Sequence, residues 1–131
     1  MPSRFRFRVW DKTKKEMVED VGIFEDSAVI WWKGEDALTE DIGTDVEIMQ
    51  DTGLKDKNGK VIWEGDILHC EAAKKEARSI VFWSEDWARF RARIIGRKEG
   101  AVDAYATLRN WKQQKVEVIG NVWEHPLLLT R

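Results

Sequence analysis

The sequence has few of the side chains that hold metals, and too few cysteines for a disulfide. Its 131 residues include one cysteine and two histidines. Because Cys70 has no second cysteine to pair with, the chain fits a reducing cytosol. His69 is adjacent to Cys70 and His125 lies far along the chain, so the spaced ligand pairs of a structural zinc site are missing. No glycine-rich phosphate loop or dinucleotide fingerprint occurs either, and we expect no metal and no cofactor.

The sequence also lacks a long apolar run. No stretch approaches the ~18 apolar residues of a membrane span. Residues 4–8 alternate arginine with phenylalanine, whereas a secretory signal needs a continuous apolar segment. The formal net charge is −2, which argues against a strongly basic nucleic-acid-binding domain. We therefore expect a soluble cytoplasmic protein that does not contact a membrane.

Apolar and aromatic residues are nevertheless frequent enough to form a core. Hydrophobic residues make up 43% of the chain and charged residues 35%, and eight residues are tryptophan. A chain of this length is typically one domain, so we predict a single domain over residues 1–131. An acidic stretch, residues 35–45, suggests a subdivision into an N-terminal β-hairpin region, 1–45, and a barrel-like region, 46–131.

The alternation of polar and apolar residues predicts a mainly β fold with minor α content. We count about seven or eight short antiparallel strands separated by turn signals, which favours a barrel-like core. Asn58-Gly59 is the strongest turn signal, because both residue types accept the positive φ of a tight hairpin. One short helix is predicted near residues 103–114, where large apolar side chains recur at three-residue spacing from Tyr105.

Three blocks of the sequence stand out as motifs: FRFRVWD at 5–11, MQDTGLKDKNGKVIWEGDIL at 49–68 and EVIGNVWEHP at 117–126. They resemble the YopX family, which is known from phages and prophages of bacteria. The blocks occur in the family's order and cover roughly a third of the chain. Trp63 stands where the family commonly has tyrosine before Glu-Gly-Asp, and His125 stands where it more often has asparagine.

The resemblance implies a β-rich fold with a barrel-like C-terminal part. It also implies a phage or prophage accessory protein of unassigned function, acting in the cytoplasm of a bacterial host cell. No catalytic residues are established for the family, so none is carried over. We interpret the motifs as architecture: a hairpin turn, a corner and a strand. These structural residues are Asn58, Gly59, Glu64, Gly65, Asp66, Gly120 and Asn121.

The polar residues form no recognisable catalytic group. Asp66, His69 and Cys70 lie on or beside one predicted strand. Residues 66 and 70 share a face of that strand and residue 69 points to the other, so the cysteine and the histidine cannot pair within it. We expect a buried structural cysteine and no enzymatic activity.

Two predicted strands carry stripes of arginine beside tryptophan. In residues 4–10 and 87–95, arginine alternates with other residues, so the arginines share one face of each strand. The candidate contact face consists of Arg4, Arg6, Arg8, Trp10, Trp87, Arg89, Arg91 and Arg93. If the two strands are neighbours in a sheet, all six of these arginines line one surface.

This face leaves three interpretations open. It could bind an unknown host or phage protein, or a second copy through the acidic residues 35–45, because tryptophan and arginine are enriched at interfaces. It could bind single-stranded nucleic acid through phosphate contacts and base stacking. Alternatively, the arginine stems only cover apolar surface while their charged heads pair with carboxylates. We favour protein interaction or self-assembly, and place nucleic acid second because the net charge is slightly negative.

Overall fold

The computed structural model describes residues 6–19, 21–30, 38–70, 77–96, 105–107 and 115–130. These residues are mostly β-strand, in antiparallel sheets with a curled half-barrel. The chain divides into two compact units, an N-terminal unit, Met1–Asp51, and a C-terminal unit, Thr52–Arg131. The organisation predicted above, one domain with a subdivision near residue 45, stays a prediction.

One sheet of the N-terminal unit has β1 as its central strand. Its strands are β1 (Phe7–Asp11), β2 (Glu16–Val18) and the first part of β6 (Val46–Lys55). β1 pairs antiparallel with both neighbours, so Val9 lies opposite Val18 on one side and Ile48 on the other. Val9 is fully buried, since β-branched side chains pack well on the covered side of a pleated sheet.

The other sheet of this unit is built from short strands. They are β3 (Gly22–Phe24), β4 (Ser27–Ile30) and β5 (Leu38–Asp41), in that order across the sheet. Glu25 and Asp26 form the turn between β3 and β4, where Phe24 pairs with Ser27. The acidic stretch at 35–45 therefore contributes a strand, because β5 finds backbone partners along β4.

The C-terminal unit contains a five-stranded antiparallel sheet. Its strands are β8 (Asp66–Cys70), β9 (Ala77–Ser84), β10 (Arg89–Ile94), β11 (Tyr105–Thr107) and β12 (Val116–Asn121), in the order β11-β10-β9-β8-β12. β7 (Val61–Trp63) pairs beside β6, and a short 3₁₀ helix, Pro126–Leu129, follows β12. The buried core of this unit consists of Ile62, Leu68, Cys70, Val81, Ala92 and Val116.

The helix predicted near residues 103–114 is wrong where the structure describes it. Tyr105–Thr107 form β11, which pairs with β10; the rest of the predicted helix lies outside the described residues. The open edge of β10 offers backbone partners that a helix would leave unused, and tyrosine and threonine favour strands. Tertiary pairing therefore overrides the three-residue spacing of the apolar side chains. In the described part of the chain, no helix is long and apolar enough to cross a membrane.

Candidate interaction surface

The Asn58-Gly59 turn is organised by the carboxylate of Asp56. Its Oδ1 accepts the backbone N–H groups of Asn58 and Lys60, both at 2.9 Å, and its Oδ2 accepts that of Val118 at 2.9 Å. Gly59 has φ +79° and Asn58 keeps a negative φ. The hairpin loop between β6 and β7 therefore comprises residues 56–60, and only Gly59 of the pair adopts the positive φ that both residue types accept.

Hydrogen bonding outweighs burial in setting the pKa of Asp56. Burial is the largest single influence and favours the neutral acid, which by itself would raise the pKa. The backbone N–H groups of Val118, Lys60 and Asn58, with the nearby Lys60 charge, stabilise the carboxylate more strongly in sum. The pKa of Asp56 is therefore lowered from its ordinary value. The carboxylate is a structural anion that ties the hairpin loop to β12.

The Glu64-Gly65-Asp66 corner is also held by a carboxylate. Asp66 is buried, and its Oδ2 accepts the backbone N–H of Trp63 at 2.8 Å. Gly65 has φ +85°, a conformation that suits glycine. Its N–H donates to the carbonyl of Val81, and its own carbonyl accepts the N–H of Val122. The corner thus joins the β7–β8 turn to β9 and to the end of β12.

Gly120 and Asn121 shape the end of β12, where the pairing with β8 has a bulge. Oδ1 of Asn121 accepts the N–H groups of Trp123 at 3.1 Å and Glu124 at 2.8 Å, which closes a turn. The backbone N–H of Asn121 donates to Nδ1 of His125 at 3.2 Å. A Cβ on Gly120 would lie 2.7 Å from that same nitrogen. A side chain at position 120 would therefore have to displace the His125 imidazole, which packs directly on the backbone of Gly120.

Other polar residues also hold the backbone or are buried. Oδ1 of Asp11 accepts the backbone N–H groups of Thr13 and Lys14, both at 3.0 Å, and so forms a turn. Cys70 is buried, and His69 is half-buried on the opposite face of β8. Within the described ranges, no group of three or more His, Cys, Asp or Glu side chains could hold a metal ion.

The arginine stripe on β1 is exposed only in part. Arg4 lies outside the described residues, and Arg6, whose side chain is 49% exposed, pairs with Asp51 at 3.3 Å. Arg8 is only 6% exposed and Trp10 only 7%. The assignment of Arg8 and Trp10 to an exposed contact face is therefore wrong, because both sides of β1 are covered there and Arg8 lies opposite the buried Met49. The assignment of Arg6 stays a prediction. The alternation of arginine with apolar residues did not reveal this second covered side.

Two arginines of β10 lie against the ring of an exposed tryptophan. Trp87, in the turn before β10, is 60% exposed. The Cζ atoms of Arg89 and Arg91 lie 4.9 Å and 5.2 Å from the centroid of its ring, within the range of a cation–π interaction. Arg93 continues this face and is half-buried, whereas Ala92 on the opposite face is fully buried in the core.

A second exposed tryptophan, which the sequence did not single out, lies on the opposite face of the same hairpin, because it pairs with Phe90, which shares a face with the buried Ala92. Trp83, at the end of β9, is 44% exposed and packs edge-to-face on Phe90, with ring centroids 5.1 Å apart. The intervening turn is defined by a bond from the N–H of Trp87 to Oγ of Ser84, at 3.3 Å. We call Trp83, Trp87, Arg89, Phe90 and Arg91 the aromatic hairpin. The sequence feature that could have indicated Trp83 is its position directly before the turn residues Ser84-Glu85-Asp86.

The two arginine-bearing strands belong to different sheets. β1 pairs with β2 and β6, whereas β10 pairs with β9 and β11. They are not neighbours in a sheet, so the condition under which their arginines would line one sheet face is not met. Among the described residues of the predicted contact face, those of the aromatic hairpin are grouped around an exposed tryptophan.

Comparison with known proteins identifies the family. The sequence profile of the YopX protein family matches residues 6–130. The crystal structure of protein EF1440 from Enterococcus faecalis is similar, with a TM-score of 0.63 and 30% identity over 95% of this chain and 97% of that one. The crystal structure of protein yopX from Bacillus subtilis has a similar fold, with a TM-score of 0.59 and 18% identity over 98% of this chain and 100% of that one. No curated protein matches. The chain belongs to the YopX protein family.

Proposed function

We propose that this protein is a non-catalytic binding module whose aromatic hairpin contacts another protein. It acts as a phage or prophage accessory protein in the bacterial cytoplasm, on a host or phage protein or on further copies of itself. The observation that carries the proposal is the exposure of Trp87, at 60%, beside two guanidinium groups.

Exposed tryptophan is the main physical support. A tryptophan side chain presents about 150–250 Å² of largely apolar surface, which gains free energy when a partner covers it. Trp83 and Trp87 are both exposed beyond two-fifths, at 44% and 60%, on one short hairpin. Tryptophan and arginine are the residue types most enriched among those that dominate protein interfaces.

The local charges favour a protein partner over nucleic acid. Glu85 and Asp86 are exposed in the same turn as Trp87 and would repel phosphates. The guanidinium groups of Arg89 and Arg91 already lie within about 5 Å of the tryptophan ring, where a stacked base would have to fit. A protein surface with both charge signs can satisfy the acidic and the basic groups together.

The uses of the motif carboxylates support a non-catalytic role. Asp56 and Asp66 accept backbone N–H groups, and Asp51 pairs with Arg6. A general base must reach a substrate proton, which a buried carboxylate committed to backbone hydrogen bonds does not do. These residues therefore stabilise the fold instead of presenting a reactive oxygen to a ligand.

The test is capture of partners from the prophage-bearing host with the tagged protein, with and without nuclease. A protein partner should survive nuclease and be lost with Trp87→Ala. Leu127→Ala, which removes another exposed apolar side chain, should keep it. Retention of nucleic acid that vanishes with nuclease and moderate salt would instead support the nucleic-acid alternative. Equal capture by both variants would refute a role for the aromatic hairpin.

A fold control accompanies this test. Arg89→Ala/Arg91→Ala/Arg93→Ala should retain the thermal unfolding transition if these arginines serve binding. Lys55→Ala/Lys115→Ala removes exposed positive charge elsewhere and should leave both folding and capture unchanged. A collapsed transition in the triple arginine variant would show that the arginines are structural.

A further inference from the structure

A second hairpin tip exposes apolar side chains, and its charge is of the opposite sign. Phe24, at the end of β3, is 67% exposed, and Ile23 beside it is also exposed. Glu25 and Asp26 form the turn that follows, and both are exposed. We call Ile23, Phe24, Glu25 and Asp26 the acidic tip.

The exposure of the acidic tip follows from its place in the sheet. β3 has three residues and is an edge strand in the order β3-β4-β5. Ile23 lies opposite Ala28, which is fully buried, so the covered part of the strand ends near this pair. Phe24 pairs with Ser27 at the turn, and its side chain lies on the other face of the strand, where it is exposed. Burial of this ring by a partner would remove its apolar surface from water.

The two hairpin tips are chemically complementary. The aromatic hairpin offers the exposed ring of Trp87 with the guanidinium group of Arg89 beside it. The acidic tip offers a phenylalanine ring followed directly by two carboxylates. Burial of the phenylalanine ring against the remaining exposed apolar surface of the hairpin, together with arginine–carboxylate pairing, would satisfy both surfaces in one contact.

We infer that the acidic tip of one copy of this protein docks on the aromatic hairpin of a second copy. The inference rests on the proposed function, since it names a second copy as the protein that the aromatic hairpin binds. Because the two surfaces differ, each copy donates one tip and accepts another. If both contacts form between the same two copies, they make a two-fold pair; if each contact joins a new copy, they make a closed ring or an open chain.

The carboxylates near Trp87 define how the second copy must approach. Glu85 and Asp86 lie in the β9–β10 turn and repel an incoming acidic tip. Arg89 and Arg91 lie on the strand side of Trp87. Glu25 and Asp26 of the second copy therefore dock over the strand, away from the turn. Replacing Glu85 and Asp86 by neutral residues should strengthen self-association.

The experiment is charge reversal measured by sedimentation velocity of the purified chain over a range of concentrations. Arg89→Glu/Arg91→Glu and, separately, Glu25→Lys/Asp26→Lys should each weaken self-association about tenfold or more. A mixture of the two variants should associate again, because each carries the intact partner of the other's intact surface. Lys55→Glu/Lys115→Glu, a reversal of two exposed lysines elsewhere, should leave association unchanged.

Several outcomes would overturn the inference. The chain could stay monomeric at every concentration, association could persist in both reversal variants, or the mixture could fail to associate while each variant keeps its circular dichroism spectrum. A monomeric chain that still loses a captured host protein on Trp87→Ala would refute only the self-docking, and the proposed binding function would stand. A different acidic protein would then be the occupant of the aromatic hairpin.

Discussion

Replacing Asp56 by asparagine tests whether a single carboxylate holds the hairpin loop to β12. Asn58 and Lys60 donate to one carboxylate oxygen and Val118 donates to the other. An asparagine side chain of the same shape keeps one oxygen but presents an NH₂ group in place of the other. Whichever way the amide turns, an N–H donor then faces a backbone N–H donor.

The magnitude follows from the number of bonds lost. A hydrogen bond to a charged group contributes about 1.5–3 kcal/mol, and a buried donor left without an acceptor costs about 1–3 kcal/mol. The hydrogen bonds that remain are then accepted by a neutral amide oxygen and are weaker. We expect Asp56→Asn to lower the free energy of unfolding at neutral pH by about 3 kcal/mol.

Asp56→Asn should also remove part of the pH dependence of the free energy of unfolding. Since the pKa of Asp56 is lowered in the folded protein, its contribution is fully present above the unfolded pKa, about 3.9, and is lost as pH falls through the folded value. The stability difference between wild type and Asp56→Asn should therefore narrow in strong acid.

The assay is urea unfolding at several pH values, followed by both tryptophan fluorescence and circular dichroism. Asp86→Asn is the matched control, because Asp86 is exposed in another turn, and it should change stability by less than about 0.5 kcal/mol. The role assigned to this carboxylate would be refuted if Asp56→Asn changed the free energy of unfolding by less than about 0.5 kcal/mol. It would also be refuted if that change were the same at neutral and at strongly acidic pH.

Three further substitutions or measurements test the architecture. Gly120→Ala should cost about 1–3 kcal/mol, because its Cβ would meet the His125 ring, and the cost should fall in a His125→Ala background when both are compared in a double-mutant cycle. Gly59→Ala should cost about 1 kcal/mol through its positive φ alone, since no atom lies within 4 Å of the added Cβ; Gly59→Asn should cost less in the same urea assay. Cys70 is buried, so a thiol reagent should label it only as fast as the C-terminal unit opens, and rapid labelling of the folded protein would contradict this burial.

The candidate surface was predictable only in part, as the two arginine stripes illustrate. Alternation correctly separates the faces of residues 89–94, where Ala92 is buried and Arg89 is exposed. The same alternation on β1 suggests an exposed Arg8, which is buried. Period-two spacing tells which side chains share a face, but it carries no information about whether a second layer covers that face.

The sequence by itself determined the β-rich class, the family and most of the turns. Strict alternation predicts strands, and Asp11, Gly59 and Gly65 act on the backbone within a few residues of their own position. Only the tertiary structure decided the strand Tyr105–Thr107, the burial of Arg8 and the hydrogen bond from Val118 to Asp56. Each of these depends on a partner many residues away along the chain. Local spacing cannot encode such a partner, because long-range pairing determines which strand edges and faces are covered.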